Sequence, residues 1–328
     1  MTLSWSLRLL CLLLVVFGLL LAILQLALAR SAPFILSRLR SAPPRRRERA
    51  LYRIQLAPPF AALFMTASVC VPAYLRFEPS RQLENVSGLC VVLAATTALW
   101  LSFSLLRGLS TVFRTQRFTR ACRRSGQLLQ HTCPTPVLAV ERPAYPEALL
   151  GFFRPLIIDS SDLLAENGLR PDALAVALDH ERAHALHRDN WKLLSLSFLP
   201  RVDFLAGNPW PSAWRTAADW AADEDAAGGD TNRSLLLAEA IVRTARTART
   251  ARSRAGSSAP VIHTALTSAE TGLVMRIDRL LHPGPTRAGR SFVFPALAAL
   301  ILLAATAAVA AAPWIYSVAE SLLHLGRF

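Results

Sequence analysis

Apolar positions fall into long unbroken runs at the two ends of the chain, with a mixed middle between them. Leu9 to Ala29 is apolar except for Gly18 and Gln25, and further runs extend from Pro58 to Leu75 and from Gly88 to Leu106. Each is long enough to cross the hydrocarbon core of a bilayer as a helix. A fourth run, Phe292 to Val318, carries two prolines. Ala27-Leu28-Ala29 resembles a signal-cleavage site, but the first run is longer than a typical signal core, which favours an anchor. The middle of the chain changes period. Pro136 to Val140 and Pro155 to Ile158 are short apolar runs bounded by turn formers, which predicts two strands. After the Asn167-Gly168 turn, Pro171 suits the first turn of a helix whose apolar side is Leu174, Leu178, Ala185 and Leu193. Leu193 to Leu199 is apolar but too short to span, and reads as a membrane-hugging or core helix end. Asn208-Pro209-Trp210-Pro211 reads as a turn, Ser212 as an N-cap, and the next helix should run to Ala227 and stop at Gly228-Gly229.

This pattern predicts a multi-pass α-helical membrane protein with an inserted α+β domain. Residues 1–129 form a membrane region with spans at about 9–29, 58–75 and 88–106. Residues 130–290 form the inserted domain, including an Arg-rich linker at 243–258, and residues 291–328 a fourth span with a short tail. Mean hydropathy of +0.35 over 328 residues agrees with this class.

Charge fixes the expected orientation. The net charge of +14 is almost all arginine, since Lys192 is the only lysine. Arginines follow span one (Arg38 to Arg53, around Pro43-Pro44, which marks a non-helical connection) and span three (Arg107 to Arg124), whereas Arg76, Glu78, Arg81 and Glu84 between spans two and three balance. The positive-inside rule then puts the inserted domain in the cytosol and both termini outside the inner (cell) membrane. Basic residues flanking spans point to membrane lipid as a partner, and no direct nucleic-acid contact is expected. Five cysteines without C-x-x-C spacing predict neither a disulfide framework nor a thiolate metal site. The Arg-Thr-Ala repeat from Arg243 reads as a solvated helix end running into a linker.

The candidate chemistry sits at His180-Glu181-Arg182-Ala183-His184. Residues four apart share a helix face, so His180 and His184 can reach one metal ion, with Glu181 beside them to take a proton from metal-bound water. A catalytic zinc needs a third protein ligand, and the helix over 212–227 offers Asp219, Asp223, Glu224 and Asp225. Asp219 and Asp223 share a face, so one can ligate while the other accepts the outward N–H of a ligand histidine. His187 reads as a surface or interface residue, and Arg188-Asp189 as local polar contacts.

These residues resemble the BlaR/MecR-type membrane zinc metallopeptidases, a gluzincin-like group. The matching stretches are His180 to His184, Arg188-Asp189-Asn190, Asn208-Pro209, Asp219 to Ala226, and Gly151 to Ile158. The resemblance covers roughly residues 130–285. It implies Zn²⁺ held by His180, His184 and Asp219, Glu181 as catalytic base and Asp223 as the acid behind a ligand. It also implies peptide docking by strand addition near Phe153, Arg154 and Ile157. The family's third ligand is usually glutamate, so Glu224 is the alternative to the shorter Asp219. The chain ends about ten residues beyond the fourth run, and no extracellular beta-lactam sensor domain is expected. The implied function is a zinc metalloendopeptidase that cleaves a cytosolic transcriptional repressor, itself, or both, in an envelope-signal pathway. The alternatives are an HtpX-like quality-control peptidase and a pseudopeptidase that signals by binding.

Overall fold

A computed structural model describes residues 4–77, 86–129, 135–140, 147–153, 155–160, 169–201, 208–254, 263–265 and 270–282. The expected fourth span, Asn167-Gly168, Arg154 and Cys133 lie outside the described residues. The chain is mostly helical with one small sheet. Among the described residues three helical segments are long and apolar enough to cross a membrane: α1 (Trp5–Arg38), the run Pro44–Arg76, and α4 (Gly88–Ser125). Their outward faces carry large apolar side chains, such as Ile23 at 63% exposure, Phe60 at 63% and Leu99 at 70%. Lipid, not water, is the solvent that suits such faces.

The second segment is built in three pieces. α2 (Pro44–Met65) has Pro44 at its first turn, where a missing N–H costs nothing, and continues through a π-helical turn, Thr66–Cys70, into α3 (Val71–Phe77). The break after α1 is therefore confined to residues 39–43. The arginines from Arg45 to Arg53, read from sequence as part of a connection, belong to α2. α1 and α4 approach closely where Gly18 faces Thr97, a contact that any side chain at Gly18 would obstruct.

The site-bearing region follows α4. Its sheet has five strands in the order β1 (Gln127–Leu129), β2 (Val137–Val140), β4 (Leu156–Ser160), β3 (Glu147–Leu150), β5 (His263–Ala265). β2 and β4, the two strands legible in the sequence, pair in parallel; every other pairing is antiparallel. The strand expected to be the docking edge, β4, is interior, with β2 on one side and β3 on the other. The sequence reading missed β3, which turns back beside β4 and displaces it from the edge. Ile157, expected at the substrate, is fully buried in a core of Val137, Leu149 and Leu178.

Five helices follow β4 among the described residues. α5 (Pro171–His187) starts on Pro171, as its sequence predicts. It stops at Arg188, whose left-handed φ of 57° makes it the one non-glycine residue with positive φ among the described residues. A separate helix, α6 (Asp189–Phe198), begins there, so Leu193 belongs to α6 and not to the face of α5. α6 packs on α4, where Phe198 covers the bare Gly108, and it buries Leu194 and Leu196 in the core. α7 (Trp210–Ala227) begins two residues earlier than expected. Pro209 holds the N-cap position, and the Ser212 hydroxyl donates to the Pro209 carbonyl within the first turn instead of capping. It ends at Gly228 in the left-handed conformation, as read from the sequence. α8 (Thr231–Arg254) takes in the Arg-Thr-Ala repeat, so the stretch read as a linker from 243 is helical through Arg254. α9 (Glu270–Leu281) lies against α8 and α7.

Candidate metal centre

α7 is wedged between α2 and α5, and its buried alanines explain how it comes so close. Ala217 and Ala218 join the core shared with α2, while Ala226 and Ala227 join Ala173, Val176 and Ala177 of α5. Small side chains shorten the interhelical distance, which lets the short Asp219 and Asp223 reach residues of α5. Both aspartates are buried, whereas Glu224 and Asp225 point outward. The structure thus turns the alternative ligand Glu224 away from the histidines.

His180, Glu181 and His184 are all fully buried. The rings of His180 and His184 stand nearly perpendicular at 87°, with their Nε2 atoms 3.2 Å apart. Tetrahedral zinc binding two imidazole nitrogens at about 2.0–2.1 Å would hold them roughly 3.3 Å apart, so the pair fits a metal. The far side of each ring meets a carboxylate. His180 Nδ1 lies 3.0 Å from Asp223 Oδ1, and His184 Nδ1 lies 2.7 Å from Asp189 Oδ2. With a proton on each Nδ1, both Nε2 atoms would face the shared space with lone pairs. Asp219 Oδ1 is 3.7 Å from His184 Nε2. Among the described residues no three acidic, histidine or cysteine side chains are close enough together to hold a metal ion.

Two residues at this centre were missed in the sequence. Asp189 was read with Arg188 as a local polar contact, but it is fully buried and its Oδ2 meets His184 Nδ1. On a continuous helix a residue five positions on would face well away from His184; the left-handed turn at Arg188 brings it back. Arg276 of α9 is 1% exposed and grips Asp223 with two nitrogens, at 2.9 and 2.6 Å, while its Nη2 stands 3.5 Å from His180 Nε2. Nothing in the sequence separates this arginine from the other arginines of so basic a chain. Asn190 donates to the carbonyls of Leu149 and Gly151, both at 3.0 Å, which ties the start of α6 to the end of β3. His187 takes no part; it meets Asp225 at 2.9 Å.

Burial and fixed charge decide the protonation states. Burial pushes the His180 imidazole down to about 4, against the opposing pull of Asp223. For His184 burial also works downward, but the hydrogen bond to Asp189 and the charges of Asp189, Glu181 and Asp219 outweigh it and raise the group to about 9. Burial raises the Glu181 carboxyl to about 7, against the charge of His184. Asp223 would be raised by burial, but Arg276 and His180 hold it well below the usual carboxylate range.

Metal uptake at this centre would therefore carry a pH signature. The raised His184 value means its contribution to metal-free stability is full below the unfolded value near 6.5 and is lost as the pH climbs through about 9. Binding through Nε2 must displace that proton. Apparent affinity should rise about tenfold per pH unit between roughly pH 7 and 9 and then level off. Calorimetry near pH 7.5 in buffers of different ionisation enthalpy should find about one proton released per ion; uptake without release would count against His184 Nε2 as a ligand.

A cavity of about 270 Å³ opens beside His184, between the end of β3 and the start of α6. Leu149, Gly151, Phe152, Phe153 and Trp191 line it. Phe153 is 73% exposed and meets Trp191 edge to face at 4.9 Å, so this expected substrate contact does stand at the cavity mouth. On the outer edge of β3, β5 pairs antiparallel, with Leu149 opposite Thr264 and Leu150 opposite His263. Comparison of the chain with protein-family models, with curated proteins and with solved structures finds no match.

Proposed function

We propose that this chain is an integral membrane zinc-dependent endopeptidase whose site-bearing region lies in the cytosol. One observation carries the reading: two buried imidazoles turn their Nε2 atoms to one point, each with its Nδ1 side on a buried carboxylate, beside a buried glutamate. A structural core has little use for this concentration of costly buried charge. His180 and His184, with Asp219 moved inward, would hold zinc, which supplies Lewis acidity toward a peptide carbonyl and toward water. Glu181, held close to neutral pH by burial, accepts a proton from the attacking water and returns it to the leaving amine. Asp189 and Asp223 keep the two imidazoles in the tautomer that presents Nε2. Arg276 fixes Asp223.

The substrate is a peptide bound in extended form along β3 in the place that β5 takes in this structure, with a cytosolic repressor as one candidate. The place of β5 favours the chain itself as another. β5 is extended against β3 and packs over α5 and α6, where an added substrate strand would lie. The helical stretch through Arg254 is a poorer cleavage region, because a helix has no free strand edge to pair. Metal analysis of purified protein tests the reading. The wild type should carry about one zinc per chain, lost in His180→Ala and in His184→Ala; a wild type that binds no zinc after reconstitution would sink it.

A further inference from the structure

The polar contacts of α2 reach the centre by a route that the zinc reading does not require. Arg45, Glu48 and Tyr52 recur at helical spacing and share one face of α2. Arg45 pairs with Asp225 of α7, and the Tyr52 hydroxyl lies 2.9 Å from Ser195 Oγ on α6. Between them sits Glu48, only 3% exposed, whose Oε1 accepts from Lys192 Nζ at 2.9 Å and from Trp214 Nε1 at 2.9 Å. Lys192 Nζ also donates to Asp189 Oδ1 at 2.8 Å, and Asp189 Oδ2 faces His184 Nδ1 at 2.7 Å. A continuous chain of charges thus runs from the helix that leads into the second apolar span to an imidazole of the candidate metal centre.

The identity of the cation adds a second, independent point. The chain uses arginine at every basic position except this one, where its single lysine stands. An ammonium is a compact point charge that can sit between two carboxylates, whereas a guanidinium is a planar fork suited to one. Burying an isolated glutamate on α2 would be strongly unfavourable without this partner.

We propose that Lys192 and Glu48 are positioning residues of the metal centre: together they aim Asp189, which aims His184, and so tie the geometry of the site to the position of α2. The inference rests on the metal reading above. Removing either link frees Asp189 to turn from His184, so the ring loses its fixed orientation while every direct ligand remains. Loss of such a partner behind a ligand weakens metal binding by roughly 10–100-fold.

Cobalt(II) titration of the full-length protein in lipid nanodiscs tests this, read as a dissociation constant and as the visible ligand-field spectrum. Glu48→Gln, which keeps the shape, and Lys192→Met should each bind cobalt about tenfold or more weakly, with an altered spectrum. The double variant should be no worse than Lys192→Met alone, because both act through one chain. Trp214→Phe removes the other hydrogen bond to Glu48 and disturbs the same core, yet should bind within about twofold of wild type. Thermal unfolding of each sample confirms that it is folded. Wild-type affinity and spectrum in a folded Glu48→Gln, or equal weakening in Trp214→Phe, would overturn the positioning role and leave the zinc reading standing. A wild type that binds no cobalt would overturn both.

Discussion

Glu181→Gln is expected to abolish peptide cleavage, by about 10²–10⁴-fold or more, while leaving the zinc content of the protein unchanged. The two halves of that result come from different facts. Glu181 is proposed as the base and not as a ligand: the converging nitrogens belong to His180 and His184, and Asp219 Oδ1 lies 3.7 Å from His184 Nε2. Glutamine keeps the volume and shape of a fully buried side chain, so packing around α5 should survive. What glutamine lacks is a proton-accepting oxygen of suitable basicity. Burial has brought the Glu181 carboxyl to about 7, close to the ideal for shuttling a proton at physiological pH. The same value predicts an acid limb, with cleavage falling as the pH drops through about 7. Metal analysis alongside a cleavage assay on a peptide spanning the 255–269 segment would check both halves. Full cleavage with glutamine in place would exclude Glu181 as the base; zinc lost together with activity would make it a ligand instead.

How much of this was legible beforehand follows from the range of the interactions involved. His180, Glu181 and His184 were readable because a helix repeats its faces locally, and Asp219 and Asp223 because the same four-residue rule holds on α7. The apolar runs were readable because a membrane span needs no partner to declare itself. Three features depended on contacts remote in sequence or on one unusual dihedral. Asp189 turns inward only because Arg188 takes φ 57°, which no composition rule assigns to arginine. β3 is a four-residue Glu-Ala-Leu-Leu stretch without alternation, and its pairing with β4 makes β4 an interior strand, which closes the edge expected there. Ile157 was placed at the substrate by that same misreading, since an interior strand packs its residues into the core. Arg276 lies 53 positions from Asp223, and only folding brings the two together.

Arg276→Met should lower the stability of the protein by about 3–5 kcal/mol, a larger loss than truncating an exposed arginine elsewhere in the chain. Asp223 is buried and charged because Arg276 holds two of its contacts, at 2.9 and 2.6 Å. Methionine fills similar volume but leaves that carboxylate with His180 as its chief partner, so the cost is an uncompensated charge, not a cavity. The remaining partner cannot make up the difference, because protonating His180 to answer Asp223 would work against the burial that holds it near 4. Thermal unfolding should show a drop on the order of 10 °C. Asp223→Asn in the same chain removes the stranded charge, so the double variant should lose clearly less than the two single losses added together. If Arg276→Met unfolds within about 1 kcal/mol of wild type, the ion pair is not what holds α9 to the centre. If the double variant is strictly additive, Arg276 and Asp223 act independently. The predicted outcome, a large single loss and strong coupling, would make α9 a structural wall of the site: it supplies the charge that allows Asp223 to stay ionised behind His180.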